Sequence, residues 1–160
     1  MLKIKKILLD SYHDCYDLFQ TNRNDKIYFT NLGWKLGQIK TQFLKEYNFS
    51  LALYDNDLMT SFIIGDIIRI KKIIEYEILI IYVNDKYRKL GYASKLLNEI
   101  PLALNRNRLK KIYLEVSSDN YKAIKLYKKN NFILSGSRKN YYQLVNGKFD
   151  ALLFEKKINE

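Results

Sequence analysis

The 160-residue chain holds one cysteine, one histidine, one proline and one tryptophan. A lone cysteine, Cys15, forms no internal disulfide, and with His13 as the only imidazole no Cys/His metal cluster can be assembled; disulfide scaffolds, zinc ribbons and a structural metal are excluded. His13 and Cys15 stand two apart in a segment of helical spacing, so they face different ways and make a poor Cys-His catalytic pair. Long apolar runs are also missing. The longest, Ile78 to Val83, falls far short of the roughly 20 residues a spanning helix needs. Met1-Leu2-Lys3 leads into alternating Lys and Ile rather than the apolar core of a signal peptide. The expectation is a soluble, cytoplasmic protein with no membrane partner. No Pro/Gly/Ser-rich linker, repeat or long block of one charge interrupts the chain, which predicts a single domain over residues 1–160.

What is present is an apolar, basic chain. Hydrophobic residues make up 48% and charged ones 28%, too apolar for intrinsic disorder. The net charge is +11 and uneven: residues 1–100 carry 15 Lys/Arg against 12 Asp/Glu, residues 101–160 carry 13 against 5. A field of that sign favours an anionic partner, be it nucleic acid, an anionic surface or a polyphosphate cofactor, unless the lysines only solvate a Lys-, Asn-, Ile- and Tyr-rich surface. The 22 Tyr and Phe residues show none of the ordered spacing of an RNA-binding sheet motif.

Periodicity predicts the elements. Leu2–Leu9 is strand-compatible; Tyr12, Cys15, Tyr16 and Phe19 make one stripe of a helix over 12–20, and Ile39, Phe43 and Leu44 one of a helix over 38–47. Strands over 49–54 and 58–68 flank the polar turn Asp55-Asn56-Asp57, and a third covers 76–83. Ala93, Leu96, Leu97, Ile100 and Leu104 then define a helix from Gly91, where Pro101 predicts a kink or an early end. A strand over 112–116, a helix over 119–129 and strands over 132–138 and 151–157 complete the chain. The strand-helix-strand run from Tyr76 to Val116 has the length of a right-handed crossover. The fold class is therefore α/β with a mixed, mostly antiparallel sheet of six or seven strands, a parallel pair and about four helices.

Three places could carry chemistry. Arg88-Lys89-Leu90-Gly91-Tyr92-Ala93-Ser94 joins a buried strand to a helix start, where unpaired N–H groups and the positive end of the dipole suit a phosphate, although a glycine opening a helix is also ordinary turn chemistry. Glu115 lies inside an apolar strand; burying a carboxylate without partners is costly, and a general base is one reason to do so, a solvated strand face being the alternative. Asn120, Ala123, Ile124 and Tyr127 share one face of a helix, which suits a long uncharged ligand arm or plain core packing by Tyr127.

These places line up as in one family. Residues 83–97 (VNDKYRKLGYASKLL) resemble the acetyl-CoA-binding motif of the GCN5-related N-acetyltransferases (GNAT). Residues 114–132 (LEVSSDNYKAIKLYKKNNF) and the stretches 138–142 and 146–151 are similar to the RimI-type N-terminal protein acetyltransferases, which act on the N-terminal alanine of a small-subunit ribosomal protein. The resemblance implies a GNAT-like fold and acetyl-CoA as co-substrate. It implies Glu115 as general base and Tyr127 as general acid toward the departing thiolate, and Asn120 as a partner of the pantetheine arm. The backbone of Ile81, Tyr82 and Val83 would meet the acetyl and pantetheine groups, and the turn from Arg88 through Lys89, Leu90, Gly91, Tyr92 and Ala93 to Ser94 the diphosphate. It further implies a protein N-terminus as acceptor and association with the ribosome. Other readings are a lysine side chain, a polyamine or another small amine as acceptor, or a non-catalytic basic module that binds nucleic acid or the ribosome. The chain departs from the motif at Asp85, where proline is usual, at Asn130-Asn131, where Leu-Gly is usual, and at Tyr82, a bulky residue near the acetyl slot expected to narrow the choice of acceptor. Asn131 is predicted to adopt the left-handed helix-ending conformation that glycine normally supplies.

Overall fold

A computed structural model describes residues 1–158. Its elements are β1 (Leu2–Lys6), α1 (Tyr12–Gln20), α2 (Arg23–Asn31), α3 (Leu36–Leu44), β2 (Asn48–Asp55), β3 (Leu58–Ile70), β4 (Ile73–Val83), α4 (Tyr92–Ala103), β5 (Leu109–Ser117), α5 (Tyr121–Lys129), β6 (Ile133–Leu144) and β7 (Gly147–Lys157), with 3-10 turns at Leu9–Ser11 and Asp85–Tyr87. The strands form one mixed, mostly antiparallel sheet in the order β1-β2-β3-β4-β5-β7-β6, as the fold class predicts. The chain divides into two compact units, Met1–Asp66 with Ile80–Glu99, and Ile67–Leu79 with the chain from Ile100 onward. It passes from one to the other inside β3, β4 and α4, with no linker between them.

In the first unit β1, β2 and β3 are antiparallel neighbours. Asp55 pairs with Leu58, and the two residues between them, Asn56 and Asp57, both have positive φ, the conformation that matches the twist of a two-residue hairpin. Ala52, Phe62, Ile64, Ile80 and Tyr82 join Cys15 and Phe19 of α1 and Ile39 and Phe43 of α3 in one buried cluster, with Trp34 packed against it. Burying a side chain such as Phe19 or Ile39 favours folding by about 1.5–3 kcal/mol each, which holds two short helices on the strands.

Apolar spacing predicts four helices; the described residues form five α-helices. The addition is α2, whose apolar residues Ile27, Tyr28 and Phe29 are consecutive rather than three or four apart and which fully buries none of its side chains. Its ends define it instead. Asn22 Oδ1 accepts the Asp25 N–H at 3.0 Å, and Gly33, at φ +90°, lets the Trp34 N–H reach Phe29 O at 2.9 Å. The helix predicted over 38–47 is α3, which starts earlier and stops at Leu44, where Lys45 turns to extended backbone.

In the second unit β4 and β5 are parallel, from Ile74↔Leu109 to Ile78↔Leu114, the pair expected of the crossover through α4. Pro101 does not end α4, which continues to Ala103. The proline deprives the helix of one N–H, and Leu104 N–H still bonds Ile100 O at 3.0 Å, so the early end is not realised. The two closing strands are longer than predicted: β6 rejoins β7 at Tyr142↔Phe149 beyond a bulge just past Arg138↔Ala151. At the end of α5, Asn131 has φ +67°, with its N–H on Lys128 O and the Phe132 N–H on Tyr127 O; asparagine closes the helix as glycine would.

Candidate functional site

The first unit carries the end of β4 and the turn after it. Tyr82 is buried between half-buried Ile81 and Val83, as strand alternation requires. Its ring meets Phe19, Phe29 and Phe62 at 5.9, 5.5 and 5.6 Å, so the side chain belongs to the core formed with α1 and α2. Its bulk lies in that core. Its hydroxyl donates to Asp25 Oδ2 at 2.7 Å, and burial together with that acceptor pushes the phenol well above its ordinary pKa.

Arg88 stands just after the 3-10 turn. Its Nε donates to Val83 O at 3.0 Å, its Nη2 to Asp25 Oδ2 at 2.7 Å, and the guanidinium lies 5.9 Å from the centre of the Tyr82 ring. The Arg88 side chain is therefore engaged with the protein. Beyond Arg88 the backbone takes over. Lys89 has φ +64° and Gly91 φ +80°, a pair of left-handed residues around exposed Leu90. A Cβ built on Gly91 meets nothing within 4 Å, so φ is what demands glycine there. Gly91 O accepts the Lys95 N–H at 3.0 Å and thereby opens α4, which places the turn at the positive end of that helix's dipole. Tyr92 is buried, its ring stacked on Tyr87 and its hydroxyl on Asp55 Oδ2 at 3.0 Å; Ala93 and Ser94 are half-buried. This is a cradle of amides at a helix N-terminus with a lysine beside it, and its donor set fits a diphosphate.

The second unit carries Glu115, Asn120 and Tyr127. Along β5, Ile112, Leu114 and Val116 are buried while Lys111, Tyr113 and Glu115 share the half-buried face. Glu115 is not the unpartnered acid that its place in an apolar strand suggests. Arg138 Nη2 of β6 lies 3.0 Å from its Oε1, and the Arg138 guanidinium also covers Tyr141 at 5.5 Å. The β6 bulge beside Arg138 is held by Asp150 Oδ1, which accepts the Asn140 N–H at 2.8 Å.

Asn120 Oδ1 caps α5 through the Ala123 N–H at 3.2 Å, which occupies its oxygen; the amide NH2 is a separate donor. Tyr127 is buried, 5.7 Å from the Phe132 ring and 6.2 Å from Phe154. Phe154 is the strand partner of Leu114 and Leu153 that of Glu115, so the ring of Tyr127 and the carboxylate of Glu115 belong to opposite faces of the sheet. The structure brings Glu115 to Arg138 and Tyr127 to an aromatic core; it does not bring the two together on one face. Asp25, which apolar periodicity passes over together with the whole of α2, organises the first unit's turn. The signal that exposes it is the pair of caps, Asn22 and Gly33, on either side of the helix.

Among the described residues no group of three or more His, Cys, Asp or Glu could hold a metal, and no helix is long and apolar enough to cross a membrane. The profile of the Acetyltransferase (GNAT) family matches residues 8–132. The ribosomal-protein-S18-alanine N-acetyltransferase from Escherichia coli superposes with a TM-score of 0.83 at 22% identity, over 100% of this chain and 96% of that one. Arabidopsis thaliana NAA60 in complex with a bisubstrate analogue gives 0.78 at 22% identity, over 99% of each chain, and Ard1 from Thermoplasma volcanium 0.74 at 21%, again over 99% of each. Such identities establish likeness of fold. No curated protein matches the chain.

Proposed function

The chain belongs to the GNAT acetyltransferase family, and on that premise we propose that its 160 residues form one catalytic domain that transfers the acetyl group of acetyl-CoA to the N-terminal α-amine of a protein. The observation that carries the reading is the Lys89–Gly91 turn at the head of α4, with its two left-handed residues. Acetyl-CoA supplies the activated acyl group. The amides of residues 89–94 bind its diphosphate, and the backbone of Ile81–Val83 lies along its arm. Asn120, through its NH2, donates to a carbonyl of the same arm.

An α-amine has a pKa of about 8, so much of it is protonated at neutral pH and must lose a proton before it attacks a thioester. Glu115, held by Arg138, takes that proton directly or through water. Tyr127 returns a proton to the departing sulfur. Both residues belong to the second unit, Glu115 on β5 and Tyr127 on α5. A protein N-terminus as acceptor is supported by the RimI-like pattern of residues 114–132, 138–142 and 146–151, and the structural relative from Escherichia coli, named for a ribosomal-protein alanine, makes a small-subunit ribosomal protein the first substrate to try.

The test is turnover of acetyl-CoA with peptides that begin with alanine, each made with a free and a blocked α-amine, the products read by mass spectrometry. Acetylation of the free α-amine alone is expected. Equal acetylation of blocked peptides at an internal lysine would replace the α-amine by the side chain, and no binding of acetyl-CoA at all would overturn the enzyme reading.

A further inference from the structure

Four side-chain bonds converge on the residues that lead into the Gly91 turn, and all four come from the junction of α1 and α2. Asn84 Nδ2 donates to Thr21 Oγ1 at 2.8 Å, Asn22 Nδ2 to Asp85 Oδ2 at 3.0 Å, and the Tyr82 hydroxyl and Arg88 Nη2 both donate to Asp25 Oδ2 at 2.7 Å. Asp25 is the hub. Its side chain is 16% exposed, and one oxygen takes two donors, one neutral and one charged. Downstream of Arg88 the backbone holds Lys89 in a left-handed conformation that costs an L-residue with a Cβ about 1–2 kcal/mol, so something must hold it. The Arg88 side chain, folded back onto Val83 O and Asp25, is the only charged group among these contacts that spans from the strand end to the start of that turn.

We infer that Asp25 is a positioning residue for acetyl-CoA: by holding Tyr82 and Arg88 it fixes the backbone from Arg88 to Gly91 so that the first amides of α4 are ready for a diphosphate. The inference rests on the reading of that turn as the diphosphate seat. It gives Arg88 a role as a brace, its guanidinium turned to protein while the amides and Lys89 meet the ligand. The geometry explains why tyrosine stands at position 82, where a hydroxyl at the core's edge can reach the carboxylate on α2.

The experiment compares Asp25→Asn, Arg88→Met, the double variant and Asp25→Glu. Acetyl-CoA affinity is measured by titration calorimetry, turnover at saturating acetyl-CoA, and amide hydrogen exchange of residues 88–94 without ligand; thermal melting monitors folding. Each single variant should weaken acetyl-CoA binding by about tenfold, the scale of one charge-assisted hydrogen bond. The double variant should be no worse than either, saturated turnover should change by less than about twofold, exchange over 88–94 should quicken, and Asp25→Glu should recover part of the affinity. If Asp25→Asn fails to fold, Tyr82→Phe, which keeps the ring and removes one donor, must still quicken that exchange. Unchanged affinity in Asp25→Asn, or a further full loss when Arg88→Met is added to it, would overturn the inference, the latter because Arg88 would then meet the ligand itself. Should the unaltered protein not bind acetyl-CoA, the proposed function falls, and the exchange measurement alone decides whether Asp25 orders the turn.

Discussion

Arg138 Nη2 lies 3.0 Å from Glu115 Oε1, across the sheet from β6 to β5, with the arginine 55% and the glutamate 23% exposed at the side chain. A pair so open to water contributes at most about 1 kcal/mol to stability. β7 lies between the two strands, so only a long side chain such as arginine spans from one to the other.

Glu115→Gln keeps the shape and removes the carboxylate that we propose as the base. Turnover should fall by about 100-fold or more, while acetyl-CoA affinity stays within about twofold. Arg138→Met should lower kcat/KM by about tenfold and leave the melting temperature nearly unchanged, because the bond it breaks is solvated. Stopped turnover assays with calorimetric Kd values check both, and equal loss of affinity and turnover in Glu115→Gln would remove its assigned role.

Gly91 is required by its φ of +80° alone, as a Cβ there meets nothing within 4 Å. Gly91→Asn should therefore be milder than Gly91→Ala, and Gly91→Val worst, because asparagine tolerates the left-handed region and a β-branched residue does not. Alanine should raise KM for acetyl-CoA several-fold and lower stability by about 1 kcal/mol. Thermal melting and KM series across the three substitutions test the order. A ranking by side-chain volume instead would point to a clash.

Sequence reading reached what local chemistry determines. The stripe at Tyr12, Cys15, Tyr16 and Phe19 marks α1 to the residue, and the left-handed Asn131 comes from the need to end α5 before Phe132. Motif resemblance and strand position single out Glu115 and Gly91 as candidates. Sequence reading did not reach α2, whose interior has no period, nor the bond from Asp25 to Arg88, whose partners stand 63 residues apart and meet only because helix and strand end pack in one register. Arg138 was legible as part of a motif but not as the partner of Glu115, since β7 intervenes and a bulge shifts the register.

Cys15 is fully buried, and desolvation, reinforced by the charge of Asp14, pushes its thiol well above the ordinary value. Thiolate is the reactive form, so at neutral pH the native protein should not react with an exposed-thiol reagent over hours. Labelling should occur on denaturation with one thiol per chain. Rapid reaction of the folded protein would place Cys15 outside the core.

Tyr82 couples the first unit to alkaline pH. Its folded pKa is raised by desolvation and by the hydrogen bond to Asp25. In the unfolded chain the phenol ionises near the ordinary tyrosine value of about 10. Below that pH both states hold the proton and the stabilisation is fully present. Above it the unfolded chain releases the proton first, the native state binds more protons than the unfolded one, and unfolding free energy falls as pH rises. Tyr82→Phe loses the hydroxyl's bond at every pH and should make the alkaline decline shallower, with the two curves converging as pH climbs past about 10. Urea unfolding at successive pH values from neutral into the alkaline range measures this. Parallel curves would mean that Tyr82 ionises in the folded protein as readily as in water, and that its hydroxyl is not held by Asp25.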